Sequence, residues 1–570
     1  MPTKTINRLL DQLDELKREF GGRQEERIEG IFSRLARQKF SDAPSLIRFH
    51  EILLFIRAYP QKAEILRQVE KTLPSFGERV KLLRDMDADL SPLDNPEVSG
   101  IAGTSVTDTF TYNIVHWLWK RHSAQVKVDW DWFEDENRLA ATWPRFMPLL
   151  EEDAFVEANV PYVEWLRAAS VKGRGPNEIA WLMRRFESLS LTDKEKAELY
   201  DSLKLYVRWT PSYKATRTGM KLPVREVYYH RQPLIQRRDV ALRDELDSPP
   251  PALKKLSARK GQAILDMTRE TSTMRYRELY GFTHGDVKRV FQVSIGRNVD
   301  LFIIGVSPQL RLPLRAYHAA MIFKNGVPVG YFEGLSLFER MESGFNLYYS
   351  FRDGETAWIY ARTLNIFRHW LGVTAFSLDP YQIGFENEEG IESGAFWFYR
   401  KLGFRPTRPE LTELTLAEER KMARRLSYRT SKGVLRRLAG GPMIFELDEA
   451  TVGDWDRFQV RSLGLAVQRR MAARFGGDTQ KMRAASIEKA ARALGIRIRN
   501  WNAVDLSALS DFAVVLELIP GLDRWTDVER QSVVRIIRAK AGPDEARYLS
   551  LMQGHGRLRA AMIQLGSKHN

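Results

Sequence analysis

The sequence predicts an α+β, multidomain and mostly helical chain built around one central mixed α/β domain. Three observations predict it. At 570 residues the chain exceeds one ordinary core and suffices for about three or four. Amphipathic helical spacing dominates both ends. Between them, short apolar segments rich in branched and aromatic residues alternate with turn signals. The expected divisions are an N-terminal helical region (1–95), a helical, Trp-rich region with a basic extended arm (96–246), the mixed domain (258–415) and a C-terminal basic helical domain (416–570).

In chain order, Ile6, Leu9, Leu10, Leu13 and Leu16 recur at helical spacing, and Ile28, Ile31, Phe32 and Leu35 repeat the pattern. Pro92, Pro96, Gly100 and Gly103 mark a loop, after which helices rich in tryptophan (Trp117, Trp119, Trp130, Trp132, Trp143, Trp165, Trp181) are expected to about residue 205. Such aromatics ordinarily fill a core; a stacking platform for bases or sugars is the sharper alternative. Residues 207–236 read as a basic extended arm packed over another domain, and Asp247-Ser-Pro-Pro-Pro251 as a stiff linker. Strands are expected at 290–295, 300–306 and 316–323. Asn325-Gly326 then forms a hairpin into 327–338, because both turn residues must take positive φ. A strand at 345–351, a helix at 355–371, a strand at 373–378 and a short helix at 394–402 complete the domain. Beyond residue 412 helices return. Lys421, Arg425, Arg429, Lys432 and Arg436 are spaced to make one cationic helix face, and 457–499 is also basic.

Composition narrows the chemistry. A 44% hydrophobic and 28% charged chain is globular, and no apolar run reaches the ~20 residues of a membrane span. The opening residues form an amphipathic, acid-containing pattern without a signal-peptide core, so the expected location is cytoplasmic. With no cysteine there are no disulfides, thiolate nucleophiles or Cys-based zinc sites. The nine histidines (50, 116, 122, 230, 284, 318, 369, 555, 569) show no paired ligand spacing, so no metal is expected. A formal charge of +15 favours acidic partners: nucleic acid, phosphorylated cofactors, an acidic carrier protein or anionic membrane.

One segment carries a family signal. In SGAFWFYRKLGFRP (393–406), Ala395, Phe398, Tyr399, Lys401, Gly403 and Phe404 stand at the offsets of a helix that ends in Gly-Phe and enters a strand. The segment resembles the closing signature of the GNAT N-acyltransferase superfamily, and the order of elements before it is similar to that family's. The resemblance covers about a quarter of the chain and makes 258–415 a GNAT-like acyltransferase domain. It implies transfer of an acyl group from acetyl-CoA or another acyl thioester, CoA-linked or carrier-bound, to an amine. By position Tyr399 resembles the family's general acid; a core aromatic is the plainer alternative. The phosphate-binding turn aligns with Arg352, Gly354, Glu355, Thr356 and Ala357. It departs from the family pattern in placing Phe351 where a basic or amide residue is usual and Thr356 where a small one is.

No motif fixes the base. Glu333, on the strand after the hairpin, and Asp379, after the 373–378 strand, are the candidate carboxylates, with His318 a third choice. Tyr348 and Tyr349 are candidates to line the cleft. The alternative function is a non-catalytic scaffold of the same fold or a nucleic-acid-binding protein. An aminoacyl transfer from charged tRNA is a third reading.

Overall fold

The computed structural model describes residues 3–20, 23–133, 136–146, 162–170 and 177–567; the helical readings at 147–161 and 171–176, and His569, lie outside them. Five helices open the chain: Thr3–Leu16, Arg23–Ala36, Ala43–Ala58, Ala63–Thr72 and Phe76–Asp85. The third is buried on almost every side, as its apolar composition demands. The Trp-rich region has its own core, from Val106 to Met220, with Trp143 and Trp209 sealed inside. It is not purely helical. β1 (Val106–Asp108), β2 (Val126–Val128) and β3 (Val207–Trp209) form a small antiparallel sheet, ordered β1-β3-β2. Three residues per strand are too few for alternation to register in the sequence.

The main sheet has nine strands: β4 (Leu253–Lys255), β5 (Gly285–Gly296), β6 (Val299–Val306), β7 (Ala316–Lys324), β8 (Val327–Leu337), β9 (Arg340–Leu347), β10 (Ala375–Leu378), β11 (Arg405–Pro406) and β12 (Met443–Glu446). Their order is β11-β12-β10-β9-β8-β7-β6-β5-β4. From β4 to β9 every pairing is antiparallel. Asn325 and Gly326 take φ of 48° and 77°, the double positive that lets two residues reverse the chain. β9 and β10 are parallel, and helix Thr356–Leu371 makes the crossover between them. That helix covers one face of the sheet, stacking Phe367 on Phe332 and Tyr360 beside Phe345, both at 5.0 Å. Helices Ala258–Thr273 and Tyr280–Thr283 lie on the other face.

Four expectations need correction. The strand placed at 345–351 is β9, which starts at Arg340 and ends at Leu347; Tyr349–Phe351 is a 3-10 turn. Residues 247–251 are not a free spacer: Asn365 Nδ2 donates to the carbonyls of Glu245 (3.0 Å) and Ser248 (2.8 Å), and Arg368 pairs with Asp247. β12 lies beyond residue 415 yet fills the sheet between β10 and β11. The cationic face at 421–436 does not form, because helix Pro409–Arg424 stops and Lys432–Leu438 restarts under a Ser431 cap. The arm at 217–230, by contrast, packs as expected. Leu222 N–H donates to Gly326 O (2.8 Å), and Tyr228 N–H to Asn325 Oδ1 (2.8 Å). Six further helices run from Val460–Phe475 to Gly556–Gly566; among them Gln553 Nε2 donates to Leu371 O (2.8 Å) at the end of helix Thr356–Leu371. No described helix is long and apolar enough to cross a membrane.

Candidate functional site

β10 pairs with β9 only through residues 375–377 against 340–342, and then stops at Leu378 while β9 runs on to Leu347. The strands therefore part, leaving the Ser343–Leu347 edge of β9 without a strand neighbour on that side. A cleft of about 660 Å³ opens there, walled by Glu333, Gly344, Gln382 and Tyr399 among others. The Gln382 side chain bridges the gap. Gln382 Nε2 donates to Phe345 O (2.8 Å) and to the Tyr399 hydroxyl oxygen (3.2 Å).

Gly344 lies on the floor of the cleft. A Cβ there would lie 3.7 Å from Gln382 Oε1 and 3.9 Å from Glu333 Cβ, so these two residues flank it. Tyr399 is 2% exposed and packs edge-on against Tyr360 (5.5 Å) and Phe404 (5.8 Å). Burial pushes its phenol well above the usual range, so it stays protonated. Its oxygen accepts from Gln382, and the residue lines the cleft. Glu333 stands on the sheet face opposite the 356–371 helix. Burial raises its carboxyl, while a hydrogen bond donated by Tyr317 Oη partly restrains the shift. Glu278, also raised by burial, joins the wall and accepts from Thr111 N–H (2.9 Å). Thus a base-like carboxylate and a proton-bearing phenol face one cavity from the two sides of the parted sheet.

The turn before helix 356–371 is more mixed. Arg352 and Thr356 line the cleft, and with Gly354, Ala357, Arg18 and Arg237 they also line an adjoining recess of about 270 Å³. Asp353, beside this helix start, pairs with Arg18 (3.6 Å) and with Lys17 (3.3 Å), which Asp14 shares (2.7 Å), so the repulsion its charge would exert on an anion is partly offset. Arg352 is held by Glu97 (3.1 Å) and Glu389, and Arg277 reaches the same two carboxylates (2.9 and 3.5 Å). Gly354 has a packing reason: a Cβ would lie 2.5 Å from Tyr59 Oη. Glu355 is a correction. It is fully buried, taking Arg297 Nη2 at 2.8 Å and the Ile235 N–H at 3.2 Å, and is not among the residues that line the recess.

Asp379 is also displaced from the site. Its carboxylate accepts the Tyr381 N–H (2.9 Å) and caps the Pro380–Ile383 turn. His318 faces the helix side, against Trp370 (5.0 Å), and burial lowers it to about 4. Tyr348 is buried under Arg275, and exposed Tyr349 opens on a separate hollow. Gln382, Arg277 and Glu278, in loops, and Tyr317, on β7, were not anticipated, because no local pattern marks a residue that meets its partner only in the folded chain. Among the described residues no group of three His, Asp or Glu side chains has the geometry to hold a metal ion. No family model, curated protein or solved structure matches this chain.

Proposed function

We propose that the protein is an N-acyltransferase of the GNAT type, moving an acyl group from a thioester to an amine. The observation that carries this reading is the parting of β9 from β10 beside a helix start, with Tyr399 and Glu333 facing the gap. An extended thioester arm would lie along the unpaired edge of β9, whose backbone groups suit an amide-bearing chain. Its phosphates would sit at the adjoining recess, against Arg18, Arg237 and the first N–H groups of helix 356–371. A donor loaded on an acidic carrier protein suits the +15 charge equally.

In this reading the amine nitrogen attacks the thioester carbonyl, and Glu333 takes the proton the nitrogen loses. The tetrahedral intermediate then collapses with cleavage of the C–S bond. Tyr399 gives its proton to the departing thiolate and regains one from solvent or from Glu333. Gln382 holds the phenol in place and stabilises the transient phenolate by the same hydrogen bond.

The test is thiol release from a panel of acyl-CoA and carrier-loaded thioesters with assorted amines; the cysteine-free chain adds no background. Saturable release is expected, with kcat lowered about 100-fold by Tyr399→Phe. Absence of release across the panel, together with no gain of melting temperature at ~100 Kd of CoA ester, where about 2.7 kcal/mol is due, would leave only a non-catalytic scaffold.

A further inference from the structure

A second site lies far from the cleft in sequence, on the C-terminal helices. Between residues 457 and 499 the chain carries eleven basic and two acidic side chains. Some of these cations are spent internally: Arg470 and Lys489 (3.4 Å) meet Glu517, Arg483 meets Asp511 (3.2 Å) and Lys481 meets Asp478 (3.0 Å). Arg492, Arg497 and Arg499 are exposed, and among the described residues no carboxylate pairs with them.

Helix Asp527–Ala541 continues this excess. Its Arg530 Nη1 donates to Ala493 O (3.2 Å), fixing the helix beside the end of Thr479–Leu494. Its Arg538 guanidinium lies 4.9 Å from the Trp501 ring, two residues beyond Arg499. Arg535, Arg538 and Arg547 then surround a hollow of about 390 Å³ at Gly542 and Pro543. All three are exposed, and among the described residues none is paired with an acid. The one carboxylate in the wall, Asp544, is engaged in capping, accepting the Ala546 N–H at 2.9 Å.

We propose that Arg535, Arg538 and Arg547 form a binding pocket for the phosphates of a nucleic-acid strand, with Arg492, Arg497 and Arg499 extending the track. Three guanidiniums around one hollow suit a phosphate, since each presents a planar fork of donors. Three more arginines continuing past Trp501 call for a repeating anion rather than a single phosphate group. Trp501 is only 8% exposed beneath Arg538, so this residue offers neither a free ring for base stacking nor an apolar wedge for a bilayer. Recognition is therefore of the backbone, independent of sequence and steeply weakened by salt.

The test uses the full chain and fluorescence anisotropy with a labelled single-stranded RNA and a duplex DNA of about 20 units, between ~50 and ~200 mM salt. The combined change Arg535→Gln, Arg538→Gln and Arg547→Gln is expected to weaken binding at least about ten-fold and flatten the log–log salt slope by about 2 to 3. Arg547→Gln alone flattens it by about 1. Replacing all three by lysine retains binding to within about three-fold. The matched change Arg420→Gln, Arg424→Gln and Arg429→Gln leaves affinity within about two-fold. No anisotropy change at ~50 mM salt overturns the proposal, as does equal weakening by the two glutamine sets. Capture by phosphatidylserine vesicles without binding to either nucleic acid overturns it in favour of a membrane surface.

Discussion

Glu333 and Tyr399 owe their properties to different surroundings. Tyr399 is held in an aromatic wall that keeps it protonated, whereas Glu333 is desolvated but restrained by the Tyr317 hydroxyl. Below its raised pKa Glu333 carries a proton and cannot accept another, so kcat/KM for amine acylation should rise as pH increases through that value. Glu333→Gln should abolish this acidic limb in a pH–rate profile and leave any limb due to the amine itself. Tyr317→Phe removes a hydrogen bond that favours the carboxylate, so the limb should move to higher pH. Their pairing was not legible in the sequence. Counting outward from Asn325-Gly326, with Lys324 opposite Val327, places Glu333 opposite His318. The irregularity between Ile322 and Phe323 shifts the register, and Glu333 faces Ala319 instead. That slip puts Glu333 on the cleft face and leaves His318 against Trp370. Tyr399 was visible because its neighbours follow a helix-to-strand string; Gln382, in a loop, had no such marker.

At the scale of elements, turns with an obligatory backbone conformation were readable, and edges set by tertiary packing were not. The Asn325-Gly326 hairpin is the clearest success. Gly326→Ala would force an L side chain to φ 77° and drive its Cβ into the Leu222 carbonyl of the overlying arm. A loss of about 1–3 kcal/mol is expected in denaturant unfolding, with faster proteolysis within 217–236. Gly433 is a counterpart: it lies inside helix Lys432–Leu438, and nothing lies within 4 Å of an added Cβ. Gly433→Ala should therefore stabilise by about 0.5–1 kcal/mol in the same assay. β9 was misplaced because Arg340–Leu347 carries Ser343 and Gly344 at its centre, weak strand formers. The aromatic run that follows looked like a better strand. It bends away into a 3-10 turn, where Ser350 donates to buried Glu51.

Across the whole molecule the cleft depends on parts distant in sequence. Glu51, on helix 43–58, accepts from Arg217 of the arm (2.7 Å), from Ser350 beside the site, and pairs with His50 (2.9 Å). Arg57 on the same helix donates to Thr218 O (3.0 Å) and pairs with Glu70 (2.9 Å). This network joins the N-terminal helices, the arm and the turn before helix 356–371, so the predicted helical and mixed regions share one structural support. Burial alone would raise the Glu51 carboxyl, but Arg217, His50 and Ser350 outweigh it and hold it at about 2 instead of 4.5. Because the folded value lies below the unfolded one, the stabilisation is complete above about pH 4.5 and is lost as pH falls toward 2. The shift corresponds to roughly 3 kcal/mol. Glu51→Gln should lower stability at pH 7 by about that amount, since Arg217 loses its buried counter-ion. The variant should also lose the part of the acid-unfolding slope that lies between pH 4.5 and 2. Urea melts at several pH values separate the two effects: a slope unchanged by Glu51→Gln would mean that acid unfolding is governed by other carboxylates and that this junction is held by packing.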